Sequence, residues 1–328
     1  MSDPSVAGQT AREYAAEYPD LPTLTLARKM VREEPKLFRD TEHARGMLRY
    51  CRGESGDVRR QKAASGEGIV PTSKVVNAPH SLAVPVRPTV LDVRGKGAVF
   101  ADLHVPYHDC DAVDMALARV VQEGHTDFLI INGDFMDFYQ LSKFVRDPRQ
   151  RDVQGEIEIG ASMLGVLCGV FDRVILKEGN HDRRLEWYMR TRAPELVGVP
   201  GLEYAALLGC EERGIKHVRH CEVMHAAALT VLHGHEFGSS IFNPVNPARG
   251  MFLRAKACTL SGHAHQTSHH QEPNIRDAVT SCWSIGCLCD LHPEYAPLNK
   301  WDQSFALMEF DGSWFEIETR RIVKGRVT

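Results

Sequence analysis

The sequence lacks the features that would place it in several specialised classes of protein. Its 9 cysteines include no Cys-x-x-Cys pair, which argues against a zinc ribbon or a disulfide framework and favours reduced thiols. No apolar run reaches the length that crosses a membrane. The N-terminus has neither the basic nor the apolar segment of a signal peptide. We therefore predict a cytoplasmic protein without a membrane partner.

The sequence also lacks a strong excess of charge of either sign. Its formal net charge is −4, and its 25% of charged residues is ordinary for a globular protein. This argues against a chain-wide basic surface for nucleic acid, although a local basic patch is compatible with it. The 16 histidines are informative because histidine is a common metal ligand and proton donor.

The chain divides by composition into three parts. Residues 1–65 repeat apolar side chains at helical spacing and predict a small helical domain, for which a helix-turn-helix-like arrangement is one option. Residues 66–93 contain proline and glycine with little periodicity, which predicts a linker. Residues 94–328 alternate short apolar runs with helical stretches and predict the main domain.

The small domain carries a basic helix. This helix is expected to end near Cys51, with Asp40 or Thr41 as its N-cap. Six basic residues lie on it or just beyond it: Arg45, Arg49, Arg52, Arg59, Arg60 and Lys62. The first three recur at helical spacing and could contact phosphates, which predicts DNA as a partner of residues 10–62. The alternative is a solvated helix or an oligomerisation element.

The main domain is predicted to be an α/β fold. Apolar runs in GAVFADLH, DFLIINGDFMD and DRVILKEGNHD predict buried parallel strands, with helices at 112–123 and near 153–170 between them. The later apolar segments, from ALTVLHGHEF to WFEIETRRIV, have less helix between them. They predict a second, more antiparallel sheet packed on the first.

Five predicted strands are each followed by side chains that can bind a metal. In chain order these are Asp102 and His104; Asp134 and Asp137; Asn180, His181 and Asp182; His233 and His235; and His263 and His265. Active sites of α/β folds form at the carboxyl ends of strands. Residues two apart on an extended strand point the same way, so we expect Asp102 with His104, and His263 with His265, each to reach one site. Each pattern alone is commonly accidental, but five in order predict a metal centre.

The five motifs resemble the signature of the calcineurin-like metallophosphoesterase superfamily. They are DLH (102–104), GDFMD (133–137), GNHD (179–182), HGH (233–235) and GHAH (262–265). The resemblance spans about residues 95–270, and the stretch GCLCDLHPEYAPLNKWDQSF is similar to phage-encoded members. It implies a four-layer α/β/β/α sandwich of two mixed sheets and a hydrolase that cleaves phosphoesters with two divalent metal ions.

The resemblance also implies a role for each matching residue. One metal would be bound by Asp102, His104 and His265, the other by Asn180, His233 and His263, and Asp134 would bridge both. These ligands suit manganese first, with iron, zinc or nickel as alternatives, and the absence of thiolates disfavours a structural zinc site. A hydroxide bridging the metals would attack phosphorus. His181 would protonate the leaving oxygen as general acid, and Asp137 would orient His181.

Residues beside the motifs are candidates for substrate contact. They are Arg183, Arg184, His108 and His235. Either arginine could bind a phosphate oxygen, or both could be solvated or paired with Glu178 and Glu186. Asp182 is expected either to support the metal ligands or to cap a helix.

Aromatic residues near the motifs leave two readings open. Trp283, Trp301 and Tyr295 could form a wall for a base or an aromatic ester, or could simply pack in the core. His269 and His270 are expected at the surface.

Three functions remain open from the sequence. The first is a phosphodiesterase that acts on nucleic acid or nucleotides. The second is a phosphomonoesterase or protein phosphatase built on the same centre. The third is a DNA-binding protein with a vestigial metal site, which the intact ligand set disfavours because a remnant has no physical need for all five motifs. Fold alone cannot choose among substrates.

Overall fold

A computed structural model describes residues 6–56, 81–83, 85–144, 147, 152–238, 245–293 and 296–328. The chain divides into two compact units, Met1–Ala83 and Val84–Thr328. The division falls inside the segment predicted as a linker. Much of that segment lies outside the described residues, as do Arg59, Arg60, Lys62 and Tyr295.

The N-terminal unit contains three helices: α1 (Val6–Glu17), α2 (Thr23–Glu33) and α3 (Thr41–Cys51). Leu26 and Met30 on α2, and Ala44 and Leu48 on α3, are fully buried because a spacing of four residues places each pair on one helix face. Asp40 is the N-cap of α3, since its Oδ1 accepts a hydrogen bond of 2.7 Å from the backbone N–H of His43.

The predicted arginine stripe is wrong for Arg52. Its guanidinium donates to the backbone oxygens of Tyr18 and Leu21, each at 2.8 Å, and to Thr23 Oγ1 at 3.0 Å. Arg52 therefore fastens the connection between α1 and α2 and is not available to a phosphate. The other two arginines form exposed ion pairs: Arg45 with Glu42 at 3.2 Å and Arg49 with Glu54 at 3.9 Å.

The larger unit contains a seven-stranded sheet in the order β13-β12-β11-β2-β3-β4-β5. Its parallel strands are β2 (Gly95–Phe100), β3 (Phe128–Asn132), β4 (Val174–Lys177) and β5 (Lys216–Val218). Its antiparallel strands are β11 (Gln303–Asp311), β12 (Trp314–Val323) and β13 (Arg326–Val327).

A second sheet has six strands in the order β1-β6-β7-β8-β10-β9. They are β1 (Thr89–Val90), β6 (Met224–Ala226), β7 (Leu229–Val231), β8 (Thr259–Ser261), β9 (Ser268–Pro273) and β10 (Val279–Ser284). Strands β1 and β6, β7 and β8, and β8 and β10 pair in parallel, whereas β6 and β7 and β9 and β10 pair antiparallel. Both sheets are therefore mixed, as the resemblance implied.

The expectation that all the later segments form the second sheet is wrong for β11 and β12. Strand β11 pairs with β2 and so joins the first sheet. Its side chains alternate between two cores, with Phe305 and Leu307 on one face and Ala306 and Met308 on the other. A strand that is apolar on both faces is buried at the centre of a sheet.

Helices cover the outer face of each sheet. They are α4 (Cys110–Glu123), α5 (Val153–Val170), α6 (Arg184–Arg192), α7 (Tyr204–Leu207) and α8 (Pro247–Ala255). Residues of α4 and α5 share a core with the seven-stranded sheet, the two sheets share a second core, and α8 packs on Cys282 of β10. This is the predicted four-layer α/β/β/α order.

Helix α5 is long and apolar enough to cross a membrane by length and composition. Its Leu164 and Leu167 are fully buried in the core beneath the seven-stranded sheet. One face of α5 therefore packs in the core of this unit, whereas Ile159 and Val166 are exposed.

Candidate active site

The candidate metal ligands lie in loops just beyond the carboxyl ends of strands. Among the described residues, ten non-glycine residues have positive φ, and five of them are predicted ligands: Asp102 (55°), His104 (50°), Asp134 (49°), His263 (65°) and His265 (52°). The strands themselves end earlier, β2 at Phe100 and β8 at Ser261. Extended-strand geometry therefore does not aim these pairs, and the prediction on that point is wrong. Left-handed backbone aims them, at a cost of about 1–3 kcal/mol per residue.

Two glycines leave room for this arrangement. Gly133 has φ of 86°, and a Cβ there would lie 2.3 Å from His233 Nδ1. A Cβ on Gly179 would lie 2.2 Å from Asp134 Oδ1. Both contacts are far shorter than atoms tolerate, so any larger residue would displace a predicted ligand.

The first predicted ligand set converges on one point. His265 Nε2 lies 3.1 Å from Asp102 Oδ1 and 3.2 Å from His104 Nε2. His104 Nε2 lies 4.0 Å from the same Asp102 oxygen. All three side chains are buried. Imidazole nitrogens and a carboxylate oxygen that face one another at such distances are the usual surroundings of a divalent cation.

The second set converges in the same way. The Nδ1 of His233 is 2.8 Å from the backbone oxygen of Asn132, to which it can donate, and this leaves Nε2 directed at Asp134 Oδ2, 3.2 Å away. Burial disfavours the charged imidazole, but the carboxylates of Asp134 and Asp102 outweigh burial and raise the pKa of His233 to about 9. Ligand atoms of Asp134, His233 and His263 lie within 4.8 Å of one another.

Two buried atoms of the second predicted ligand set have no hydrogen-bond partner among the described residues. They are Asn180 Oδ1 and His233 Nε2. Buried polar atoms are nearly always paired, so an oxygen without a partner and an imidazole nitrogen that faces a carboxylate fit ligands of a cation. The residues present therefore fit the two-metal centre that the resemblance implies.

His181 and Asp137 lie together beside these ligands. Asp137 Oδ2 is 3.2 Å from His181 Nδ1 and 3.0 Å from His104 Nδ1. Burial opposes ionisation of Asp137, but its bonds to these two imidazoles hold its pKa well below the usual range. Asp137 thus orients a predicted ligand as well as the predicted general acid, and its link to His104 is not evident from the sequence.

The structure distinguishes the two candidate arginines. Arg184 donates to Asp137 Oδ1 at 3.0 Å, to the Asp137 backbone oxygen at 2.7 Å and to His181 Nε2 at 3.0 Å. Arg183 is half-exposed and lies 4.0 Å from Glu186. Arg184 therefore belongs to the site, and Arg183 matches the solvated, paired alternative.

Asp182 supports the ligand loops and is not a helix cap. The N-cap of α6 is Arg183. The Asp182 carboxylate accepts four hydrogen bonds: from the N–H groups of Gly179 (2.7 Å), Met136 (2.8 Å) and Phe135 (3.3 Å) and from the Tyr204 hydroxyl (2.8 Å). It therefore joins the GDFMD loop to the GNHD loop. Tyr204 has no motif around it, and sequence reasoning missed it.

A buried ion pair behind the centre was also missed. Lys177, at the end of β4, has no exposed surface, and its Nζ lies 2.9 Å from Glu236 Oε1. Glu236 also accepts hydrogen bonds from the backbone N–H groups of His233 and Gly234, at 3.2 and 2.7 Å. Burial opposes ionisation of Glu236, but Lys177 outweighs it and lowers the pKa of Glu236 to about 2. The pair fixes the HGH loop against β4.

A second missed carboxylate is Glu156, in the first turn of α5. It is 6% exposed, and its Oε2 has no hydrogen-bond partner among the described residues. Burial raises the pKa of Glu156 to about 7, with a smaller contribution from Asp137.

The remaining candidates lie at different distances from the centre. His235 is part-buried beside His233, with ring centroids 5.4 Å apart, and burial lowers its pKa to about 4. The backbone of His108 pairs with that of Cys289. The Trp301 ring packs on His265 at a centroid distance of 4.3 Å.

Three aromatic residues lie outside the centre. Trp283 stacks on His269 at 5.2 Å and packs against the core between the sheets. His269 is exposed and His270 is partly exposed, so the expectation of surface positions holds for His269 in full and for His270 in part.

The chain is similar to known proteins in sequence and in fold. A family model described as calcineurin-like phosphoesterase matches residues 96–266. The chain is 24% identical over 242 residues to the Gene 54 protein of Mycobacterium phage L5. This match covers 70% of this chain and 94% of the relative. Wild-type Vps29 in complex with Zn²⁺ from Entamoeba histolytica is 13% identical, with a TM-score of 0.39 and coverage of 71% of this chain and 96% of that one. Vacuolar Protein Sorting 29 from Cryptosporidium parvum is 12% identical, with a TM-score of 0.41 and coverage of 72% and 96%.

Proposed function

The chain belongs to the calcineurin-like phosphoesterase family, and on that basis we propose that it is a two-metal phosphodiesterase acting on nucleotide or nucleic-acid substrates. Family membership makes it a metal-dependent phosphoester hydrolase. The preference for a diester, the substrate class and the residue roles are the proposal. The resemblance to phage-encoded members is confirmed by the mycobacteriophage relative.

One observation carries the assignment of the centre. The buried atoms Asn180 Oδ1 and His233 Nε2 lack hydrogen-bond partners among the described residues, and His233 Nε2 lies 3.2 Å from Asp134 Oδ2. We assign Asp102, His104 and His265 to one metal, Asn180, His233 and His263 to the other, and Asp134 to both. When bound, the ions would polarise the phosphoryl group and supply a nucleophile from water near neutral pH.

His181 is proposed to protonate the leaving oxygen. Asp137 lies against its Nδ1, so Nε2 is the nitrogen left for the substrate. Arg184 lies 3.0 Å from that Nε2. We expect a phosphate oxygen to draw the guanidinium away, since a charge-assisted bond to phosphate is stronger than a bond to neutral imidazole. The shift would leave Nε2 clear to carry the proton.

The charge of the site supports a diester over a monoester. Within the described part of the chain, Arg184 is the one Arg or Lys side chain that hydrogen-bonds to His181 or Asp137. The metal ions would serve a diester and a monoester alike, and this guanidinium adds one positive charge to theirs. A phosphodiester carries one negative charge, whereas a phosphomonoester carries nearly two at neutral pH. Trp301, against the ring of His265, offers an apolar face on which a base could stack.

The test is a metal-by-substrate screen on the metal-free full chain. Mn²⁺, Zn²⁺, Ni²⁺ and Mg²⁺ are each added with bis(p-nitrophenyl) phosphate, p-nitrophenyl phosphate, cyclic nucleotides, and single- and double-stranded DNA. We expect faster cleavage of the diester than of the monoester, and loss of turnover in Asp134→Asn and His181→Ala. A faster monoester reaction would overturn the diester preference. Normal turnover by Asp134→Asn would overturn the two-metal centre.

DNA binding through the N-terminal unit is a separate proposal with narrower support. Arg45 and Arg49 are the described arginines of the predicted stripe that remain on the surface of α3. If they contact phosphates, affinity for DNA falls as salt rises, and the double variant Arg45→Ala/Arg49→Ala has a shallower salt dependence by about 2 phosphate contacts. An unchanged slope would discard this role.

A further inference from the structure

A buried thiol lies beside the first ligand set. Ligand atoms of Cys289, His104 and His265 lie within 4.8 Å of one another, and all three residues are buried. All 9 cysteines are among the described residues, and in that part of the chain the other cysteines join no such cluster. The sequence placed no thiolate among the predicted ligands because the five motifs contain no cysteine, but the fold brings this cysteine in from a distant segment.

The two histidines of this cluster also face a carboxylate. The Nε2 atoms of His104 and His265 face each other at 3.2 Å, and His265 Nε2 is 3.1 Å from Asp102 Oδ1. The same two imidazoles each have a ligand atom within 4.8 Å of the Cys289 thiol. This is a donor set for a transition metal and not the apolar surroundings of an ordinary core cysteine.

Backbone hydrogen bonds fix the position of the thiol. Leu288 N–H donates to the Asp102 backbone oxygen at 3.2 Å, and Asp109 N–H donates to the Leu288 oxygen at 2.9 Å. The Cys289 backbone also pairs with that of His108. The segment that carries the thiol is therefore tied to the loop that carries two of the ligands. Ligands held by such supports are well placed to bind.

We propose that Cys289 is a thiolate donor to the metal bound by Asp102, His104 and His265, and that it makes this position selective for zinc or iron over manganese or magnesium. The proposal rests on the proposed function, because it assumes that a metal binds these three residues. On coordination the sulfur forms a bond to the metal and the thiol proton is released to solvent. A thiolate favours softer cations, whereas magnesium and manganese prefer oxygen. With Cys289 as a donor, the metal expected at this position is therefore zinc or iron and no longer manganese.

Cobalt(II) is the probe, because thiolate coordination gives cobalt an intense near-ultraviolet charge-transfer band. The metal-free full chain is loaded with Co²⁺, bound cobalt is counted by equilibrium dialysis, and absorbance is recorded for wild type, Cys289→Ser, Cys287→Ser and Cys168→Ser. Cys168 lies on α5 and is the matched control. We expect the band in wild type and in both other variants, and its loss in Cys289→Ser although cobalt still binds.

The preference for Zn²⁺ over Mn²⁺, measured by competition, should fall at least about tenfold in Cys289→Ser. Loss of a residue that only hydrogen-bonds to a metal ligand lowers metal affinity roughly 10–100-fold. Loss of a direct ligand should lower the affinity for zinc by at least as much. Cobalt bound by wild type without the band, a band that persists in Cys289→Ser, or a band lost only in Cys287→Ser would each overturn the thiolate proposal and leave the metal centre intact. Failure of wild type to bind cobalt would overturn both.

Discussion

Replacing Asp182 by Asn tests whether this carboxylate holds the active-site loops together. All four groups that contact it are donors, three backbone N–H groups and the hydroxyl of Tyr204. An amide offers one oxygen and one NH₂, so its NH₂ must face at least one buried backbone N–H. That unpaired donor costs about 1–3 kcal/mol. Burial and the neighbouring Asp134 carboxylate raise the pKa of Asp182 to about 6. The amide therefore also removes a buried charge, and this offsets the charge assistance that the two remaining bonds lose.

The expected loss is therefore about 1–3 kcal/mol of unfolding free energy, against the 5–15 kcal/mol typical of a domain. Tyr204→Phe removes a single bond to a charged acceptor and should cost about 1.5–3 kcal/mol. Because the two residues are bonded to each other, Tyr204→Phe should cost less in the Asp182→Asn background than in wild type.

The assay is urea denaturation of the metal-free protein followed by tryptophan fluorescence. All 4 tryptophans, at positions 187, 283, 301 and 314, lie in the larger unit, so the signal reports that unit alone. Asp114→Asn, an exposed aspartate on α4, is the matched control and should stay within about 0.5 kcal/mol of wild type. A loss below about 1 kcal/mol in Asp182→Asn, or equal costs of Tyr204→Phe in both backgrounds, would refute this account.

Four further outcomes are expected. Arg184→Ala should lower kcat on a diester about 100-fold or more, as loss of a donor to transition-state charge does. Arg183→Ala should change kcat at most about twofold, because the Arg183 side chain is half-exposed. Equal losses in the two variants would contradict this distinction. Burial raises the pKa of Glu156 to about 7 from 4.5, so the protonated carboxyl stabilises the fold at low pH and this stabilisation is lost as pH rises through about 7. Glu156→Gln should therefore be more stable than wild type at pH 8, by at most about 3 kcal/mol, with the difference gone near pH 4.5 in urea titrations; a difference independent of pH would contradict burial as the cause. Lys177→Met should lower the unfolding free energy by about 3–5 kcal/mol in the same assay, because it leaves the Glu236 carboxylate without its partner. Adding Glu236→Gln should recover part of this loss. No recovery would show that lost packing is responsible. Adding Zn²⁺ at about 100 times its Kd to metal-free protein should raise the unfolding free energy of the larger unit by about 2.7 kcal/mol in urea titrations, and an unchanged midpoint would argue against a preformed centre.

The sequence by itself determined the order of the elements and the identity of the side chains at the centre. Parallel strands end at one edge, so motifs that follow successive apolar runs are brought together whatever the details of packing. The N-cap of α3 was also predictable, because a cap is a local contact between Asp40 and a residue three positions later.

Only the tertiary structure decided what the neighbouring side chains do. Asp182 meets Met136 across 46 residues and Tyr204 across 22, and no local pattern encodes which donors a carboxylate will find. The same holds for Arg52, whose backbone partners Leu21 and Tyr18 lie 31 and 34 residues earlier in the chain. It also holds for the choice between Arg183 and Arg184. Periodicity records which face of an element is apolar. Long-range packing decides which polar groups from distant segments share a buried space, and it brought Cys289 to His104 and His265.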